Sequence, residues 1–184
     1  MIDAGQLRQI MPTCPQARAD LFIAPLQAAM AESQIDESNA RIAAFIAQVA
    51  HESCELRYMR ELADGREYEN QRDLGNLYPG DGPKFKGRGP IEITGRDNYR
   101  YCSAYLYGDE RLLDTPELLE QPEDGCRGSA WFWLSKGLNA LADQGDFFRI
   151  SARINGINRQ TGEPNGMPSR LTYWERAKVA LGLT

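Results

Sequence analysis

Residues 38–53 constrain this chain more than any other stretch. Ile42, Phe45, Ile46 and Val49 recur at i, i+3, i+4 and i+7, the spacing of one face of an α-helix. Ser38 and Asp36 offer side-chain oxygens to cap such a helix at its start. Position 52 lies seven residues after Phe45. At about 100° per residue it falls about 20° from that side chain's direction. Glu52 therefore continues the apolar face of its own helix. Burying a carboxylate without a partner is costly. Desolvation at such a place raises its pKa and keeps a proton on it, the property a general acid needs. The same position also suits a structural Glu paired with an arginine such as Arg57 or Arg170.

The rest of the chain reads as helical. Short or longer helices are predicted over 4–11, 16–33, 38–53, 95–107, from Pro116, and over 123–136, 138–143 and 146–155. A last one runs from Pro168 or Ser169 to about Leu181. Pro25 implies a kink in the second, and Thr94 offers a cap for the fourth. Strand alternation is confined to a short run at 90–94. Between Glu61 and Gly89 the periodicity fades and six glycines accumulate. A loop that long inside a domain is functional or disordered, and Tyr68, Tyr78 and Phe85 argue against disorder. The expected fold is all-α, one catalytic domain over 1–184. It has an N-terminal helical segment at 1–35 and a core at 36–182.

With 21 basic against 26 acidic residues the net charge is −5, which disfavours nucleic acid as a partner. A basic stretch from Lys84 to Arg100 is the exception: either a solvated face or a contact strip for an anionic polymer. No apolar run approaches the length of a membrane span. The first residues lack the basic-then-apolar pattern of a leader, so cytoplasmic synthesis is expected, with action on a wall only after release. Cys14, Cys54, Cys102 and Cys126 form no CxxC pair, and His51 is the lone histidine. Neither a metal nor another cofactor is expected.

A second acid, Glu61, follows nine residues after Glu52. Alone it reads as a surface charge. Facing Glu52 across a groove, it completes the carboxyl pair that glycoside hydrolysis uses. At this point the run Ala43-Ala44-Phe45-Ile46-Ala47-Gln48-Val49-Ala50-His51-Glu52-Ser53 resembles the catalytic helix of glycoside hydrolase family 19. Phe85-Lys86-Gly87-Arg88-Gly89-Pro90-Ile91-Glu92-Ile93-Thr94-Gly95, with Asp97-Asn98-Tyr99, is similar to its second signature. Ala130-Trp131-Phe132-Trp133, Arg153-Ile154-Asn155-Gly156, and Arg170 with Tyr173-Trp174 are similar to later blocks, in order across about 40–178.

The resemblance implies a lysozyme-like bilobal fold of about eight to ten helices with a substrate groove. It implies Glu52 as general acid, Glu61 as general base and Thr94 as holder of the attacking water. Asn98, Asn155 and Arg170 would line the groove, Arg170 near a catalytic carboxylate, and His51 would support the site. Tyr78 and Phe85 would offer flat faces to sugar rings. Glu92 stands where the family usually has Gln, which puts a third acid in the groove. Cys54 and Glu55 replace a common glycine pair. The implied reaction is inverting hydrolysis of a β-1,4-linked amino-sugar polymer by a monomer. Peptidoglycan is preferred as substrate, with chitin the alternative. Two other classes compete: a cysteine amidase or peptidase using Cys54 and His51, three apart on one helix, and a non-catalytic sugar-binding module.

Overall fold

The structure, a computed structural model, describes residues 1–183. Among them are ten α-helices: α1 (Ala4–Ile10), α2 (Gln16–Glu32), α3 (Asn39–Glu52), α4 (Asp81–Lys84), α5 (Arg96–Tyr107), α6 (Arg111–Asp114), α7 (Pro122–Ser135), α8 (Leu138–Asp143), α9 (Phe147–Asn155) and α10 (Met167–Ala180). Short 3-10 turns occupy Arg66–Tyr68, Arg72–Leu74 and Pro116–Glu120. The all-α expectation holds. Instead of a strand at 90–94 there are only antiparallel bridges from Arg88 to Arg60 and to Ile93.

The periodic stretch is α3, and it is the hub. Its residues from Ile42 to Ala50 are all buried. Ser38 Oγ accepts from Arg41 N at 3.2 Å, closing one of the four free amides at the helix start. Ser38→Ala is expected to lower stability by about 1 kcal/mol, read as a lower urea midpoint with an unchanged slope. α10 packs along α3, and α2 along α7. Phe45 meets Trp133 edge-on, centroids 5.5 Å apart, in the geometry aromatic quadrupoles favour. Residues 1–35 supply Ile2, Leu7, Ile10, Met11, Phe22, Leu26 and Met30 to this same core.

A second, smaller apolar cluster gathers Phe85, Ile91, Ile93, Tyr99, Cys102, Leu106, Leu112, Leu119 and Trp131. Ile154 of α9 packs against both clusters. Two cores joined at one seam leave a cleft between them, and that cleft is where the polar residues converge.

The glycine-rich stretch is ordered by carboxylates. Asp81 is buried, accepts from Leu77 N and Tyr78 N, and pairs with Arg96 at 2.6 Å. Glu69 accepts from Gly80 N and Gly82 N. Small residues let the backbone approach these acceptors closely. The basic stretch is spent in the same way. Arg88 is buried against Glu120 and the Tyr99 hydroxyl. Arg96 pairs with Asp81, Arg100 with Asp97, and Lys86 donates to the Ala63 carbonyl. These four cations hold the second lobe together, which leaves Lys84, exposed over the Phe85 ring, in place of a continuous strip for a polymer.

Candidate active site

The cleft between the two lobes holds about 890 Å³ of space open to solvent, within the range of small-molecule sites. Glu52, Tyr68, Ile91, Glu92, Thr94, Asn98, Phe132, Lys136, Arg153, Ile154 and Asn155 line it. Six structural elements contribute: α3, the glycine-rich stretch, the loop at 90–95, α5, and the C-terminal ends of α7 and α9.

Glu52 is the last residue of α3, with a side chain 9% exposed. Its Oε1 accepts from Arg170 Nη2 at 2.5 Å. Arg170, fully buried, also binds Gln48 Oε1 and the Asn165 carbonyl. Gln48 in turn donates to Ser151 Oγ at 2.9 Å. The arginine-paired alternative for Glu52 is therefore the arrangement found. Only one carboxyl oxygen is engaged; among the described residues, Oε2 has no hydrogen-bond partner and remains for the cleft.

The chain leaves α3 through an unusual turn. Cys54, Glu55 and Leu56 all adopt left-handed backbone, φ 48°, 60° and 62°. For residues with a Cβ this costs about 1–2 kcal/mol each. Several bonds hold it. Ser53 Oγ accepts from Leu56 N, and Arg18 Nε donates to the Leu56 carbonyl at 2.7 Å. The buried Glu55 carboxylate accepts from Thr13 N, Thr13 Oγ1 and the Tyr173 hydroxyl. This is how Cys54 and Glu55 do without glycine: side-chain anchors offset the backbone strain.

Glu61 sits beside the cleft, its carboxylate pinned by Gly87 N at 3.1 Å and by the Tyr68 hydroxyl at 3.1 Å. Burial foremost, and then Glu61, push the Tyr68 phenol up, so it stays a neutral donor. Thr94 Oγ1 donates to the Glu92 carbonyl at 2.9 Å. With its proton committed, that hydroxyl can only accept in the cleft, the sense needed to hold one hydrogen of a water. Asn98 Nδ2 donates to the Thr94 carbonyl at 2.7 Å, which leaves its Oδ1 as the free end.

No family model matches the chain. Sequence relatives do. An endochitinase of Arabidopsis thaliana is 34% identical over 144 residues, 78% of this chain and 49% of the relative. A glycosyl hydrolase family 19 domain-containing protein of Haemophilus influenzae is 31% identical over 96 residues, covering 52% of this chain and 45% of its own. The chain thus spans about half the length of these relatives. Among solved structures, a bacterial family 19 chitinase superimposes with a TM-score of 0.79 at 24% identity, over 100% of this chain and 96% of that one. The chitinase C of Streptomyces griseus gives 0.78 at 23%, over 100% and 77%.

By sequence the chain is similar to endochitinases and to a family 19 glycosyl hydrolase domain, and it shares the helical fold of glycoside hydrolase family 19. Within that family's helical fold, the structure brings Glu52, Thr94, Glu92, Asn98 and Asn155 to one cleft, with Glu61 at its side. Four other expected positions differ. Phe85 has no exposed surface and packs against Tyr99 at a 57° tilt inside the small core; an aromatic with that much apolar area is stabilised there more than in a solvent wall. Tyr78 is exposed, but away from the cleft, under the Arg96 guanidinium. Arg170 lies behind Glu52 instead of lining the groove. His51 points to the opposite side, where its Nδ1 meets Ser169 Oγ at 3.1 Å. Gly166, at φ 72°, is what admits the ring: a Cβ there would lie 2.5 Å from His51 Nε2. Burial first, then Arg170, lowers the His51 pKa to about 4, so the ring is neutral above that pH.

Thr94 is not a helix cap either; Gly95 takes that position. Cys54 and His51 do share a concavity, with Glu55, Arg57 and Tyr173. Among the described residues, the imidazole is met by a serine hydroxyl and by no carboxylate or carboxamide, so the orienting group of a thiol–imidazole pair is missing. Sequence reasoning missed Tyr68, Lys136 and Arg153 as cleft residues and Gln48 as the link under Arg170. Gln48 stands one turn before Glu52, a buried amide on an apolar face; that was the available signal.

Proposed function

We propose that the protein hydrolyses the β-1,4 bonds of chitin-type N-acetylglucosamine polymers by a single inverting displacement. The observation that carries this reading is the half-engaged carboxyl of Glu52: one oxygen held by Arg170, the other turned to a cleft that also presents Thr94, Asn98 and, at its side, Glu61. Glu52 Oε2 gives its proton to the departing glycosidic oxygen. Glu61 takes a proton from a water held against the Thr94 hydroxyl, and that water attacks the anomeric carbon from the other face. The carboxylate of Glu61 is already fixed by two donors, so little reorganisation is needed at the moment of reaction. The similarity to the Arabidopsis endochitinase supports chitin over the peptidoglycan substrate preferred from sequence alone. A non-catalytic module has no use for two carboxyls and an oriented hydroxyl around one cleft.

The test is parallel digestion of N-acetylglucosamine oligomers and purified cell-wall sacculi, with the anomer of the first product followed by NMR. Release of α-anomer from the oligomers is expected; reducing ends from sacculi alone would replace chitin by peptidoglycan, and initial β-anomer would exclude inversion. Thr94→Val keeps the shape and removes the water's acceptor. It is expected to cut kcat about 10–100-fold, one or two factors of ten per misplaced reactant, with KM little changed. A rise in KM alone would make Thr94 a sugar contact.

A further inference from the structure

Glu92 stands apart from the two carboxyls the mechanism uses. It lies in the cleft wall, at φ 56°, a conformation costly for a residue with a Cβ. Among the described residues no donor reaches its carboxyl oxygens, whereas Glu52 has Arg170 and Glu61 has Gly87 N and Tyr68. Glu92 and Glu61 are close neighbours, and Glu52 lines the same cleft. A Cβ placed on Gly87 would lie 3.2 Å from Glu92 Cβ and 3.4 Å from both Glu61 Cβ and Glu61 Oε2. The Glu61 carboxylate and the Glu92 side chain meet beside one glycine, and two neighbouring acids, the second without a donor, are not both comfortable as anions.

We propose that Glu92 is a sugar-binding group that works in its neutral form, donating its carboxyl O–H to an oxygen of the bound saccharide. The assignment rests on the chitinase reading of the cleft. Groups facing it point the same way. Glu52 of α3 and Glu61 repel its charge. The Tyr68 phenol is spent on Glu61. The cleft cations Lys136, just after α7, and Arg153 of α9 are neighbours of each other, Arg153 Nη1 bound to the Lys136 carbonyl, and among the described residues neither forms an ion pair with Glu92. Burial, foremost, then Glu52 and Glu61 raise the Glu92 pKa to about 7. Below that pH the side chain offers an O–H; above it, the donor is replaced by a second negative charge beside Glu61. Glutamine at this position offers an N–H at every pH.

The experiment has two arms, on the full chain. In the first, the dissociation constant of the N-acetylglucosamine tetramer is measured by calorimetry at pH 5.5 and 8.5, in a Glu52→Gln background that prevents cleavage, with and without Glu92→Gln. Binding is expected to weaken roughly tenfold at the higher pH with Glu92 and to stay level with glutamine, the size of one hydrogen bond. The second arm needs no sugar. A carboxyl held neutral by the fold stabilises it fully below the unfolded-chain value near 4.5, and that stability is lost as pH climbs through about 7. Glu92→Gln escapes the loss, so its Tm should match wild type at pH 4.5 and exceed it at pH 8.5.

Equal Tm differences at both pH values would overturn the proposal whatever the sugar does. So would pH-independent binding with Glu92 present, or glutamine that abolishes binding at pH 5.5. Absence of tetramer binding in every variant and at every pH would instead sink the chitinase reading, and the assignment with it. The Tm arm would still tell whether the carboxyl is neutral.

Discussion

Glu52→Gln is expected to reduce turnover of N-acetylglucosamine oligomers by about 10²–10⁴-fold, the contribution of a positioned proton donor. The amide has nearly the same shape and can still present its oxygen to Arg170, so the tetramer should still bind and the far-ultraviolet spectrum should not change. What the variant lacks is a transferable proton at the atom facing the leaving oxygen. Kinetics should therefore show the fall in kcat, with KM within a few-fold. Cys54→Ser, two positions on, should leave turnover unchanged. The opposite pattern, with the thiol needed and the carboxyl dispensable, would return the cysteine-nucleophile class to first place.

The largest stability effect is expected at Arg170. Its guanidinium is fully buried and serves Glu52, Gln48 and the Asn165 carbonyl together. Arg170→Met keeps volume but strands the Glu52 carboxyl beneath the cleft with no counter-charge, and leaves the buried Gln48 oxygen unpaired. Breaking a buried pair from one side costs about 3–5 kcal/mol, measurable as a large drop in urea midpoint. Arg170→Met combined with Glu52→Gln removes the stranded charge and should recover part of that loss. If the double variant is no more stable than Arg170→Met, the two side chains are not coupled, and the pairing does not hold Glu52 in place.

Helix positions were legible because hydrophobic spacing is local: α3, α5 and α7 to α10 follow from periodicity and from the punctuation of Gly and Pro. Glu52 was legible for the same reason, as a charge that breaks an apolar stripe. What spacing does not carry is direction across the chain. Phe85 and Tyr78 sit seven residues apart in one glycine-rich stretch, yet one faces the small core and the other faces solvent. That choice is made by the Asp81–Arg96 pair and the Glu69 carboxylate, contacts set by tertiary folding. His51 and Glu52 are adjacent on a helix, so they point about 100° apart; when the acid faces the cleft, the imidazole cannot. The basic stretch misled because a count of charges says nothing of partners: Glu120, Asp81 and Asp97 neutralise it after folding. Glu92 was visible as a third acid, but its lack of donors required coordinates.

The left-handed turn at Cys54–Leu56 ties Glu52 to residues outside the cleft. Thr13 and Arg18, near the start of the chain, clamp that turn through Glu55 and the Leu56 carbonyl. The end of α3 is therefore braced from outside, like a bowstring kept taut by a distant peg. Slackening the peg, for instance with Thr13→Gly, would let the turn unwind toward ordinary backbone and carry the carboxyl with it. On the proposed mechanism, the position of Glu52 is thereby exposed to sequence drift at positions remote from the cleft.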